Sequence, residues 1–184
     1  MGTRGATAPG RLELVRAFVN TCDVESGEDT LSSPSALAEW LAERDLLVSA
    51  RREHQSDLRR GLAVREALRS LLVANNGASA DPDAAPILEA AARAAKLELR
   101  LTSDGRAALV ASASGTTGAL GGLLSIASEA MATGTWDRLK ACRAETCRWA
   151  FYDNSPNRSR TWCSMAICGN RRKVRDYRAR RASL

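Results

Sequence analysis

Apolar residues recur every three or four positions along most of the chain, the spacing that gathers them on one helical face. In LELVRAFVNT (12–21), Leu12, Val15, Phe18 and Val19 fall together and predict a helix, with a strand as the weaker alternative. VESGEDTLSSP is a turn-rich connection ending in Ser33-Pro34, a capping serine before a proline suited to a first helical turn. The helix it opens, PSALAEWLAERDL, is expected to bury Leu37, Trp40 and Leu41. A longer helix runs from about His54 to Asn75, with Leu58, Leu62, Val64, Leu68, Leu71 and Leu72 mostly along one side and NNG closing it.

The pattern restarts at Pro86 and carries an alanine-rich helix to about Lys96. LELRLT (97–102) then alternates with period two, SDGR supplies a turn and AALVASA (107–113) answers it, a β-hairpin signal. GTTGALGGLLSIASEAMATG reads as one more helix, loosened by Gly121-Gly122, and no internal repeat is visible. The expected class is α+β: a mainly helical body over 11–135 with a small antiparallel element, after a flexible leader at 1–10. Residues 138–184 form a separate terminal module.

Charge divides the chain at the same place. Residues 141–184 carry 11 Lys/Arg against 3 Asp/Glu, whereas the other 140 carry 16 against 18. A near-neutral body thus bears a strongly basic end, which points to a polyanionic partner. No stretch has the length of a membrane span, and MGTRGATAPG lacks the apolar run of a secretory signal. The expected location is cytoplasmic, where thiols stay reduced and paired cysteines are more often metal ligands than disulfides.

The basic end holds four of the five cysteines, spaced Cys142-x4-Cys147-x15-Cys163-x4-Cys168. Two close pairs separated by a middle stretch let four sulfurs converge on one ion, and four thiolates are a favoured set for structural Zn2+. Two disulfides are the alternative. Between the pairs lies WAFYDNSPNRSRTW, in which 149–152 and 160–162 are expected to pair as a hairpin, giving a zinc-ribbon or treble-clef plan. A module of this size cannot bury enough apolar surface to fold alone. Zinc can supply roughly 10–16 kcal/mol of apparent free energy toward that folding.

The run C-x4-C-x-W-x-F-Y-D-x-S…R-x-W-C-S-M-x-x-C-G-N-R-x-K-V-R-x-Y-R-x-R resembles the CGNR zinc finger, named for residues 168–171. Upstream, FVNT (18–21) and the helical text after it are similar to the opening of the ABATE domain that usually accompanies this finger. The resemblance implies a bacterial, stress-related transcription regulator with a DNA-binding finger and an α/β N-terminal domain.

With a helix from about Gly169, Arg171, Arg175 and Arg178 fall within about 60° of one another. Arg172 and Lys173 flank this row, and Arg158 and Arg160 sit on the hairpin tip or its return strand. Ile167, Asn170, Val174 and Tyr177 make a neighbouring stripe expected to pack on the aromatic hairpin. The arginines suit phosphates and guanine edges, so the seven basic residues are the expected nucleic-acid contacts. A solvated helix face is the bland alternative. Charge alone leaves RNA open, and the resemblance favours DNA. A single finger makes few contacts, so a homodimer or a second partner is expected to add specificity.

Other features attract no chemistry. His54, the lone histidine, reads as a surface residue, Cys22 as a half-buried structural thiol, and the glycines at 115–122 match no phosphate loop. The expected protein is not an enzyme. It is a DNA-binding regulator whose body dimerises or senses a small-molecule effector. The alternative is a zinc-stabilised protein-interaction or RNA-associated module with a ligand-binding N-terminal domain.

Overall fold

A computed structural model describes residues 5–47, 54–101, 103–105 and 107–182. Helix α1 (Leu12–Val19) buries Leu12, Val15, Phe18 and Val19, and the Phe18 ring lies 5.3 Å from that of Trp40. A two-residue hairpin follows, β1 (Cys22–Asp23) against β2 (Glu28–Asp29). Helix α2 (Pro34–Ala42) starts as its sequence requires: Ser33 Oγ accepts from the Ala36 N–H at 3.1 Å, a cap worth about 1 kcal/mol. It ends four residues earlier than its pattern suggests. The Leu46 N–H returns to the Leu41 carbonyl across Asp45, whose φ is 55°, a left-handed stop that aspartate tolerates.

Helix α3 (Gln55–Ala74) is opened by exposed His54, whose N–H donates to the Asp57 carboxylate at 3.0 Å. The helix buries Leu58, Val64, Leu68 and Leu72, with Leu62 and Leu71 at the margin. It also buries Arg65 and Arg69, which the hydrophobic pattern does not disclose. Helix α4 (Ala84–Ala94) starts two residues before Pro86 and so holds the proline in its first turn, where a missing N–H is harmless. Lys96, with φ 51°, turns the chain into β3 (Leu97–Leu101). This strand pairs antiparallel with β4 (Ala107–Ala111), one residue to one, from Leu97↔Ala111 to Leu101↔Ala107. Thr102 and Arg106 of the expected turn lie outside the described residues.

Helix α5 (Gly115–Ala132) runs through the middle of the body. Gly121 does not loosen it, contrary to the sequence expectation. A Cβ there would stand 2.5 Å from Ala95 Cβ and 3.0 Å from Ala111 Cβ, so the bare backbone is what lets α5 approach the hairpin base. No helix among the described residues is long and apolar enough to cross a membrane.

After α5 the chain forms β5 (Leu139–Ala141), β6 (Ala150–Tyr152), a π turn at Met165–Gly169 and α6 (Asn170–Ala182). The expected pairing of 149–152 with 160–162 is corrected: β6 pairs with β5, Leu139↔Tyr152 through Ala141↔Ala150. The hairpin therefore encloses the first cysteine pair instead of lying between the two pairs. Leu139, Ala141 and Ala150 belong to the same apolar core as α1, α2, α3 and α5. Residues 5–10, which carry no periodic pattern, still make specific contacts. Ala6 bridges Tyr152, and Gly5 sits where a Cβ would meet Phe151 Cβ at 2.6 Å.

Candidate metal centre and nucleic-acid interface

The four cysteines come from three local structures. Cys142 follows β5 and Cys147 precedes β6, so the hairpin turn holds the first pair; the Cys147 N–H closes that turn on the Ala144 carbonyl at 2.9 Å. Cys163 ends the extended return segment, and Cys168 lies in the π turn that launches α6. Their Sγ atoms all lie within 4.8 Å of one another, with Cys147–Cys163 at 3.6 Å and Cys163–Cys168 at 3.8 Å. A tetrahedron with Zn–S near 2.3 Å has S···S edges of about 3.8 Å. A disulfide needs about 2.05 Å, and all four thiols are free, which removes that alternative.

The protons of this cluster are unequally held. Hydrogen bonds from the Cys147 and Cys163 thiols, with the Cys163 and Ala144 N–H groups, draw Cys142 down to about 2. The same thiol contacts push Cys163 far up. Burial first, then the negative charge on Cys142, pushes Cys168 up to about 12. One thiolate forms readily and opposes the next, so four together require a central cation. All four are buried and all four positions of a tetrahedral ion are filled by sulfur, the arrangement of a structural site.

Groups whose role was not anticipated from sequence fix this frame. Asn20, noted in FVNT only as a family feature, donates Nδ2 to the Ala150 carbonyl at 2.9 Å and accepts the Ala150 N–H at 2.8 Å, serving as a third strand beside β6. Asn75 and Asn76, expected only to close α3, donate to the Leu139 carbonyl at 2.9 Å and to those of Ala141 and Thr161 at 2.8 Å. Buried Arg69 reaches the carbonyls of Val19 at 2.8 Å and Arg148 at 3.1 Å. Fully buried Asp153 binds Lys140 Nζ at 2.8 Å, the Ser155 hydroxyl at 2.6 Å and the Arg160 N–H at 2.9 Å. Burial of Asp153 works to raise its pKa, but these donors outweigh it and hold the carboxyl at about 2.

The seven expected nucleic-acid residues do not behave alike. Arg171, Arg172, Lys173, Arg175 and Arg178 are exposed on α6, which packs principally on the π turn before it. Arg171 forms an ion pair with Glu25 of the β1–β2 hairpin, and Arg172 pairs with Asp176 at 2.7 Å. Arg158 is exposed in the loop after β6, where its carbonyl accepts from Lys140. Arg160 turns inward: it donates to the carbonyls of Trp162 at 3.2 Å and Cys163 at 2.9 Å and lies 5.5 Å from the Phe151 ring centre. The expected packing of the apolar stripe is corrected in part. Ile167 does pack on the cysteine cluster, but Val174 and Tyr177 are 49% and 55% exposed because α6 extends beyond the finger. Ile167, Asn170 and Val174 instead share an open face of the π turn and α6 with Arg171, Arg175 and Arg178.

Together these features define a helical protein that carries a four-cysteine zinc finger ending in a basic helix. Residues 138–181 match the CGNR zinc finger, and residues 12–139 match ABATE, described as "Putative stress-induced transcription regulator". The chain belongs to the ABATE family and carries a CGNR zinc finger at its C-terminal end. The two matches meet at the start of β5. The curated proteins contain no match to the chain. The four cysteines of the finger hold one structural zinc, and both matched families are regulatory or zinc-finger families, not enzymatic ones.

Proposed function

We propose that this protein is a cytoplasmic, non-catalytic transcription regulator that binds duplex DNA through α6, with zinc holding the helix in place. The observation that carries this reading is the pairing of a metal-fixed base with an almost unpacked helix. No residue of α6 from Asn170 to Arg181 is buried, and five exposed cations occupy its first nine positions. An isolated helix of this length is marginal in water. Its attachment to the Cys168 turn supplies the start that its own sequence lacks. On this reading Arg175 and Arg178 meet phosphates or base edges, Arg158 adds a cation from the loop after β6, and Arg160 serves the finger's interior.

The zinc-loaded full chain, titrated with duplex DNA at several salt concentrations, tests this. Neutralising about five phosphates gives a log–log slope near −4.5 on duplex DNA. A slope near zero would refute the phosphate reading. It would favour the second reading, docking of another protein on exposed Met165, Val174 and Tyr177. Stronger binding to single-stranded RNA than to duplex DNA would shift the partner class to RNA.

A further inference from the structure

We propose that β3 is a self-pairing edge through which two copies of this chain associate. The sequence of the strand, Leu97-Glu98-Leu99-Arg100-Leu101, is complementary to itself when two copies run antiparallel about Leu99. In that register Glu98 stands opposite Arg100 of the second copy, and Arg100 opposite its Glu98. Leu97 meets Leu101, and Leu99 meets Leu99 on the two-fold axis. A two-fold interface demands this reciprocity, residue i facing j and j facing i.

The backbone phase agrees. The Ser112 N–H donates to the Lys96 carbonyl at 3.3 Å. With alternation along an antiparallel ladder, that bond assigns Glu98 and Arg100 to bonding with β4 and turns the N–H and C=O groups of Leu97, Leu99 and Leu101 away from it. The opposite edge of the sheet is covered, since the Leu109 carbonyl accepts from Ser125 of α5. Among the described residues, β3 has no other strand beside it. It also lacks the proline, lysine and bulge with which proteins blunt an open edge.

The side chains ask for cover. Leu97, Leu99 and Leu101 share one face of the strand, yet only Leu97 is packed, while Leu99 and Leu101 are 66% and 77% exposed. Leu97 forms one wall of an apolar cleft with Leu71, Leu88 and Met131. Pairing about Leu99 brings Leu101 of each copy beside Leu97 of the other, at the mouth of that cleft. On the opposite face Glu98 and Arg100 lie 3.4 Å apart within one strand and are exposed enough to exchange partners across the axis.

Sedimentation equilibrium of the zinc-loaded full chain tests this without nucleic acid, so its outcome is independent of the DNA reading. A monomer–dimer equilibrium is expected in the micromolar range. Glu98→Arg or Arg100→Glu alone sets like charges across the axis twice, and each should raise the dimer Kd about ten-fold or more. The double swap E98R/R100E restores complementarity and should return the Kd to within about three-fold of the original, far from the sum of its parts. A chain that stays monomeric at about 100 μM, single swaps that leave dimerisation unchanged, or a double swap as weak as either single would each overturn the proposal.

Discussion

Lys140 Nζ and Asp153 Oδ2 lie 2.8 Å apart, with both side chains buried, at the point where the finger's loop turns back toward Cys163. The same ammonium also donates to the Arg158 carbonyl, so one pair fastens β5 to the loop that leads to the second cysteine pair. Breaking a buried pair strands a charge, at a cost of about 3–5 kcal/mol. Asp153→Leu or Lys140→Met should each lower the finger's stability by about that much at neutral pH. The double variant K140M/D153L should lose clearly less than the sum, as a double-mutant cycle from chelator-dependent melting would show.

Zinc removal should divide the finger in two. The β5–β6 ladder shares the body's core and is bonded by Asn20, Asn75 and Asn76. The segment from Ser155 to α6 depends on the cysteine cluster. Chelation under reducing conditions, or Cys163→Ala, should abolish amide protection over roughly 155–182 and leave Leu139–Ala141 and Ala150–Tyr152 protected. Hydrogen exchange followed by mass spectrometry reads both segments at once.

Glu25 occupies the first arginine of α6 and therefore competes with any phosphate there. Surface pairs of this kind contribute little, so the expected change is modest. Glu25→Gln should tighten duplex DNA binding by roughly two- to five-fold and steepen the salt slope by about one phosphate equivalent. Weaker binding by this variant would mean that Glu25 positions Arg171 instead of masking it.

Arg65 grips Asp29 with two bonds of 2.8 Å, and that grip makes stability depend on pH. Burial works to raise the Asp29 pKa, but the Arg65 bonds and the Leu31 N–H outweigh it, so the folded value lies below the ordinary carboxylate range. A depressed carboxyl stabilises the fold fully above its unfolded value, about 3.9, and loses that contribution as pH falls through its folded one. Asp29→Asn should be less stable than the parent at pH 7, and the gap should shrink below about pH 4. Urea unfolding followed by helical circular dichroism measures it.

Much of this was legible in the sequence. Apolar spacing located α1, α3 and the β3–β4 hairpin, because burial of one face is what such spacing encodes. Cysteine spacing located the metal site, because four thiolates at that separation have few other uses. Arg65 and Arg69 were hidden, since arginines in a charged helix read as solvated until their carbonyl and carboxylate partners arrive from distant segments. The partner of β6 was hidden as well. Leu139–Ala141 is short and contains a lysine, which can lie inside only because Asp153 meets it. Arg158 and Arg160 look alike in sequence, but the φ of 51° at Arg158 breaks the extended run, and the second guanidinium ends on the Trp162 and Cys163 carbonyls.

The central claim is that a zinc-fixed helix presents arginines to DNA, and one paired measurement tests it most directly. The variant R171A/R175A/R178A should retain one zinc per chain by elemental analysis and lose at least about a hundred-fold in duplex DNA affinity at 0.1 M salt. Full zinc content with unchanged DNA affinity would contradict the account.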